Sequence, residues 1–336
     1  MLRQYKNQHS SARAGNSKQP VRWIMVLSAL LLAGSAAAQS NSATIAQPVL
    51  GLVYDAAAQT LHTLTGIPAA SQLGGSLGGT PLSAVAISSQ QPYALASEQG
   101  TGAALLVSPS GRQPLAGVRA GAQLAAVSPR GTAAAVYFSD TGKASILTGL
   151  PDAPQALRDV TLDGSPSVLA VSDDGSSLAA VISLATNQAT VFFYSAAGAG
   201  QALLSDRQFS SLDFVPGGTT LVMATQSAVY LYQSHQGLQL LTDARDGLAN
   251  VVGAAASADG TRVFVGMQSG QVAIRDLAAA TQTQLSCSCQ PAGIWRLRGK
   301  AVFRLNGMGA GPLWVLDGDA AAPRILFVAT PAGGTL

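Results

Sequence analysis

Short apolar runs separated by turn-forming residues recur along most of this chain. The clearest copy, AVSDDGSSLAAVIS at 170–183, places an Asp-Gly turn between two apolar runs. Related stretches begin at Ala86, Ala126, Asp213, Ala255 and Trp295. Short, Val-rich runs bounded by Gly, Pro, Asp or Asn indicate β-strands, and no segment after residue 38 has a helical period. The pattern therefore predicts an all-β fold.

The copies follow one another at a nearly constant interval. Measured from the third residue of each copy, the successive steps are 40, 44, 43, 42 and 40 residues. A repeat of about 40–45 residues made of short strands is typical of a β-propeller with four-stranded antiparallel blades. In one repeat the predicted strands are 166–172, 177–183, 189–194 and 201–204.

The length of the repetitive region bounds the number of blades. About 290 residues at about 42 per blade favour seven blades over six. We predict a single propeller domain at 48–331 and a short tail at 332–336. Because the repeat occupies nearly the whole region, a second domain is not expected, and we expect a monomer.

The first 38 residues have a different character. Five basic residues precede an apolar run, WIMVLSALLLA at 23–33, and small residues follow it as far as Ala38. This is the pattern of a secretory signal peptide at 1–38, and the run is short for a membrane span. The alternative is an uncleaved signal anchor, since the basic segment is long. We expect a secreted or periplasmic protein with no stable membrane span, beginning with a polar leader at 39–47.

The stretch at 48–66 predicts two strands around a loop at 55–59, followed by a Gly-rich connection at 67–80. It resembles the second half of later repeats, such as 312–328. An open array of blades would leave the faces of its end blades unburied. We therefore expect the amino-terminal strands to dock beside 312–328 and to help close the ring.

The turns of the repeat have a clear local chemistry. Gly175 and Gly260 each follow Asp at a predicted hairpin tip, where a positive φ is needed and Gly adopts it without strain. A calcium loop would need alternating Asp or Asn ligands, which these turns lack. We predict a structural role and a positive φ for both glycines.

These S-x-D-G turns, repeated about every 42 residues behind a signal peptide, resemble secreted and periplasmic bacterial β-propellers of the WD-repeat-like group. The chain lacks the Trp-Asp and Gly-His pairs of true WD repeats. Within the group some members are binding scaffolds and others, such as the lactonase-like ones, are enzymes. The resemblance implies the architecture and leaves both kinds of function open.

The charge balance bears on the choice of partner. Five of the 19 basic residues and none of the 16 acidic residues precede residue 39, so the mature chain has 14 basic and 16 acidic residues. A weakly acidic domain without a basic patch has no electrostatic source of affinity for phosphate backbones. We therefore predict no nucleic-acid partner.

Three residues break the repeat in a way that suggests a site. Two residues before the reference position most copies carry Ala, but Asp213 and Trp295 replace it, and Arg296 follows in an otherwise apolar strand. The innermost strands of a propeller line its central channel, so these three residues predict a channel or partner site. The alternative is a locally repacked core in which backbone groups satisfy Asp213.

Cys287 and Cys289 are the only cysteines. Residues two apart in a strand have Cα atoms about 6.5–7 Å apart, at the limit for a disulfide, and a bulge would bring them closer. Export implies an oxidising compartment, so we predict a candidate disulfide. Two buried thiols, or a redox or metal role, are the alternatives, although zinc would need two further ligands.

The mature chain offers few groups for catalysis. Its only histidines are His62 and His235, both expected at the surface, and its only Glu is Glu98. We predict no catalytic, cofactor-binding or metal-binding residues and no cofactor. The predicted function is a non-enzymatic scaffold that binds a protein partner. The alternative is a propeller enzyme of the lactonase or hydrolase type with its site at the channel mouth.

Overall fold

The computed structural model describes residues 47–309 and 311–329. The predictions of a signal peptide at 1–38 and of a tail at 332–336 concern residues outside this part of the chain, as does nearly all of the predicted leader at 39–47. The described chain forms seven separate antiparallel sheets, arranged as the blades of a propeller, with two single-turn 3₁₀ helices. The prediction of an all-β propeller with seven blades is confirmed.

The strands follow one another blade by blade along the chain. Blade 1 consists of Val49–Asp55 (β1), Thr60–Thr65 (β2) and Gln72–Ser76 (β3). Blade 2 consists of Leu82–Ile87 (β4), Ala94–Glu98 (β5), Ala104–Ser108 (β6) and Gly111–Pro114 (β7). Blade 3 consists of Leu124–Val127 (β8), Ala133–Phe138 (β9), Lys143–Thr148 (β10) and Gln155–Thr161 (β11). Blade 4 consists of Pro166–Val171 (β12), Leu178–Ala185 (β13), Gln188–Tyr194 (β14) and Gly200–Asp206 (β15).

The last three blades have the same meander. Blade 5 consists of Phe209–Phe214 (β16), Leu221–Thr225 (β17), Ala228–Gln233 (β18) and Gly237–Asp243 (β19). Blade 6 consists of Val251–Ala256 (β20), Arg262–Met267 (β21), Gln271–Asp276 (β22) and Gln282–Ser286 (β23). Blade 7 consists of Trp295–Arg296 (β24), Val302–Arg304 (β25), Leu313–Asp317 (β26) and Arg324–Val328 (β27). Blades 2 to 7 thus have four strands each, and blade 1 has three within the described residues.

The repeated sequence forms the innermost strand of a blade, the turn and the second strand. In blade 4 the buried Ser172 hydroxyl donates to Asp174 at 2.6 Å and accepts from the Ser177 N–H at 3.0 Å. Blade 6 repeats the first bond at 2.6 Å between Ser257 and Asp259. The glycines of the two turns, Gly175 and Gly260, have φ of 70° and 69°, as predicted.

The hydrophobic core is divided among the seams between blades. The described residues form seven apolar clusters, one at each seam between neighbouring blades. Ala170 and Ala255 are buried at such seams, where a small side chain lets the innermost strands of neighbouring blades come close. The core thus follows the ring from blade to blade.

Blade 1 closes the ring by packing against blade 7. Leu50 and Val53 of β1 contact Leu313 and Val328 in a shared cluster, and the Arg298 N–H donates to the Leu50 carbonyl at 2.8 Å. The expectation that the amino-terminal strands help to close the ring is confirmed. The strands dock beside 312–328 across the seam, as expected. Their likeness to the second half of a blade was misleading, because β1 is the innermost strand of its own sheet. The first and the second hairpin of a blade have the same pattern of apolar residues, so the pattern does not show to which half of a blade a hairpin belongs.

The connection expected at 67–80 also contains structure. A 3₁₀ turn spans Pro68–Ala70, and β3 pairs with β2 over Gln72–Ser76. This strand was not predicted, because two glycines in its middle interrupt any pattern of apolar residues. Within residues 47–309 and 311–329, no helix is long and apolar enough to cross a membrane.

Candidate functional site

The central channel contains a cavity of about 510 Å³. All seven innermost strands contribute to its wall, which places the cavity on the axis of the ring. Most of the wall is apolar or carries hydroxyl groups. The charged side chains that line it are Asp213, Arg296 and Arg304. Two of these three residues were predicted from the sequence to lie in the channel.

Asp213 and Arg296 form an ion pair inside the channel. Arg296 Nε donates to Asp213 Oδ2 at 3.2 Å, and Nη2 donates to the same oxygen. The two residues belong to blades 5 and 7, so the pair reaches past blade 6, which presents only Ala254 to the cavity. The side chains of Arg296 and Asp213 are 7% and 23% exposed, respectively. The alternative in which backbone groups alone satisfy Asp213 is not what the structure shows.

Burial dominates the electrostatics of this pair. Removal from water raises the pKa of Asp213 from 3.8 to about 6, although the Arg296 guanidinium opposes the rise. The negative charge of Asp173 adds to the rise. Burial also lowers the pKa of Arg296, and its Nη1 is a buried atom without a hydrogen-bond partner in the described part of the chain. The ion pair leaves some of the hydrogen-bonding capacity of Arg296 unused.

Trp295 and Arg304 form a second pair at the cavity wall. They lie directly opposite each other on β24 and β25, and the guanidinium carbon is 4.4 Å from the centroid of the indole ring. This distance is that of a cation–π contact. Trp295 is 41% exposed, whereas Arg304 is only 6% exposed. The indole therefore forms part of the channel mouth and covers a buried cation.

The charge of Arg304 has no acidic partner in the part of the chain that the structure describes. Its Nη1 donates to the backbone carbonyl of Asn306, and among the described residues no carboxylate lies within 4.0 Å of the guanidinium. Burial lowers the pKa of Arg304 to about 10, so the side chain stays charged at neutral pH. Arg304 was not among the predicted site residues. The available signal was a single Arg in the apolar run AVFRLN at 301–306.

The serine hydroxyls of the wall serve the framework. Ser211 Oγ accepts from the Ala254 N–H at 2.8 Å and donates to the Ala254 carbonyl at 3.3 Å, which ties blade 5 to blade 6. Ser210 donates to the Ala224 carbonyl within its own blade at 3.3 Å. Both hydroxyls are thus used in contacts with the backbone.

His62 and His235 lie outside the cavity wall. His235 is exposed, as expected, but His62 is only 3% exposed, so its expected surface position was wrong. His62 lies on the middle strand of blade 1, and β3 covers it, with Nδ1 3.2 Å from the Gly74 carbonyl oxygen. The unpredicted strand β3 explains the difference.

Cys287 and Cys289 lie outside the channel, directly after β23. The structure joins the two sulfurs in a disulfide, with Cα atoms 5.1 Å apart, closer than the spacing in a regular strand. Their redox state in the cell stays a prediction. Among residues 47–309 and 311–329, no group of three or more His, Cys, Asp or Glu is placed to hold a metal ion.

Comparison of the sequence with protein-family models and with curated proteins finds no match. Solved structures do match. A functionally unknown protein from Desulfotomaculum acetoxidans DSM 771 aligns with a TM-score of 0.58 and 13% identity, over 84% of this chain and 95% of its own. At this identity the likeness shows the fold alone.

Two further structures align less closely. The Kuenenia stuttgartiensis hydrazine synthase has a TM-score of 0.48 and 12% identity, over 87% of this chain and 99% of its own. A chain of the nidogen/laminin complex has a TM-score of 0.47 and 11% identity, over 73% of this chain and 96% of its own. These values carry no argument about the function of this chain.

Proposed function

We propose that this propeller is a non-enzymatic binding module that works outside the cytoplasm and holds a protein partner at the channel mouth. The observation that carries the proposal is the contact of the exposed Trp295 with the buried Arg304, which has no acidic partner among residues 47–309 and 311–329. Trp and Arg are the residue types that contribute most to the affinity of protein interfaces, especially where they are shielded from water. A rigid ring of seven blades holds both side chains in place.

The proposed location rests on the sequence. The pattern at 1–38 and the resemblance to secreted propellers both favour export. Cell fractionation and amino-terminal sequencing test this part of the proposal. A chain found in the envelope or medium that begins at Gln39 would support it, and a chain that begins at Met1 in the membrane fraction would favour the signal anchor.

The binding role is tested by comparing two aromatic residues. Trp295→Ala removes the exposed indole at the mouth, whereas Phe327→Ala removes an exposed ring, 66% accessible, from the outermost strand of blade 7. We expect a partner that cross-links to the wild-type protein in the envelope to be lost with Trp295→Ala and kept with Phe327→Ala. Equal capture by both variants would contradict a site at the channel mouth.

An enzyme with its site in the channel is the second candidate. The observation that favours it is the pKa of Asp213, which burial raises to about 6, a value suited to proton transfer near neutral pH. A panel of lactones and esters, assayed with the wild-type protein and Asp213→Asn, tests this function. Turnover that disappears in the variant would favour the enzyme over the scaffold.

A further inference from the structure

The charged side chains that line the channel have a net charge of one positive unit. Asp213 and Arg296 neutralise each other, and Arg304 is the remaining charged side chain on the described wall. Burying a cation without a counter-charge is costly, because the protein must then replace its hydration with neutral groups alone. An anion that entered the cavity beside Arg304 would remove this cost.

Arg304 lines the cavity and has donors left for such an anion. A guanidinium has five N–H donors, and in the described part of the chain only one hydrogen bond is formed, to the Asn306 carbonyl. The indole of Trp295 covers one face of the group and limits its movement. The planar edge of a guanidinium matches the two oxygens of a carboxylate. Arg296 also lines the cavity, and its buried Nη1 has no hydrogen-bond partner among the described residues.

The wall of the cavity indicates what else the ligand contains. Apolar side chains from every blade line it, among them Leu52, Val85, Ile87, Val127 and Val168 of blades 1 to 4. A volume of about 510 Å³ lies within the range of small-molecule sites. A single excess positive charge suits a monoanion better than a dianion such as phosphate. The cavity therefore suits one carboxylate attached to an apolar body.

We infer that the channel binds a monocarboxylate with an apolar body, its carboxylate on Arg304 and its apolar part on the channel wall. This inference rests on the proposed function, since it names the chemistry that the binding module recognises. The carboxylate belongs either to a free organic acid or to the carboxyl terminus of the partner protein. Both sources present the same group to Arg304.

Calorimetric titration of the mature protein tests the inference. Hexanoate is the probe, hexanamide is its neutral counterpart, and inorganic phosphate, titrated at a pH well above its second pKa, is the dianion. We expect saturable binding of hexanoate and about tenfold or greater weakening for the amide and for phosphate, because neither matches one excess charge and an apolar wall. An apolar peptide with a free or an amidated carboxyl terminus tests the protein source, and binding by hexanoate alone would assign the site to free acids.

Variants then locate the site. Arg304→Gln and Arg304→Lys should each weaken hexanoate binding by about tenfold or more, since the first removes the charge and the second removes the planar fork. Arg245→Gln is the matched control, because Arg245 is an exposed arginine that does not line the cavity. If the Arg304 variants fail to fold, the comparison of hexanoate with hexanamide on the wild-type protein still tests whether the channel recognises a carboxylate.

Two results would overturn the inference: equal binding of hexanoate and hexanamide, or no saturable hexanoate binding up to about 10 mM. Neither result changes the expected outcome for Trp295→Ala and Phe327→Ala, because those variants test partner binding independently. Conversely, hexanoate binding without any partner at the mouth would keep the carboxylate site and remove the scaffold.

Discussion

Replacing Asp213 by Asn should change how the stability of the ring depends on pH. The pKa of Asp213 is about 6 in the folded chain and 3.8 as its ordinary value, so the folded state binds this proton more tightly than the unfolded state does. The stability that Asp213 contributes is therefore fully present below about pH 3.8 and is lost as the pH rises through about 6. The side-chain amide introduced by Asp213→Asn carries no charge at any pH.

The magnitude follows from the two pKa values. One pKa unit corresponds to about 1.4 kcal/mol, so the stability that Asp213 loses between about pH 5 and about pH 7.5 is on the order of 1 kcal/mol. The Asp213 side chain is 23% exposed, so solvent screens the effect only in part. We expect the free energy of unfolding of the wild type, relative to Asp213→Asn, to fall by this amount over that range.

Denaturant unfolding of both proteins at a series of pH values measures the difference. Asp259→Asn is the control, because hydrogen bonds, first of all from Ser257, lower the pKa of Asp259 to about 2. Asp259 is thus ionised in the folded and the unfolded state throughout the range, and its difference from wild type should stay constant. A constant or rising difference for Asp213→Asn would refute the assignment of Asp213 as a buried carboxyl dominated by its loss of hydration.

Four further predictions follow from the fold and the sequence. Gly175→Val and Gly260→Val should each lower the free energy of unfolding by about 1–2 kcal/mol or more, since both glycines have positive φ; unchanged thermal melting would contradict this. Deleting residues 39–66 removes β1 and β2 and should lower the melting temperature, because the apolar face of blade 7 is then exposed to water. A soluble truncated protein with an unchanged melting temperature would show that the ring closes without blade 1. Thiol alkylation and mass spectrometry of the exported protein should label Cys287 and Cys289 only after reduction, and labelling before reduction would favour free thiols. The mature protein should show no DNA binding in the micromolar range at physiological salt, and salt-dependent binding there would refute the argument from its charge.

The sequence alone predicted the architecture, because the features that specify it are local. Strands of alternating or apolar character and Asp-Gly turns such as that of Gly175 follow from interactions within a few residues. The predicted strands 166–172, 177–183, 189–194 and 201–204 agree with the observed strands of blade 4 to within two residues. A constant interval between such units then implies a ring of blades.

The candidate site was visible in the sequence only where it broke the repeat. Asp213, Trp295 and Arg296 differ from the residues at the same place in other copies, and the structure places all three along the channel. Arg304 also breaks the repeat, because its place in the second strand of blades 2 to 6 is always apolar, but the sequence comparison weighed only the innermost strands. His62 carried no such signal, because β3, which covers it, was not apparent. Which side chains meet was decided by the tertiary structure. Asp213 and Arg296 are 83 residues apart in the chain. They become partners because the ring brings the innermost strands of blades 5 and 7 to the same central axis. A pattern of neighbouring residues contains no information about that distance.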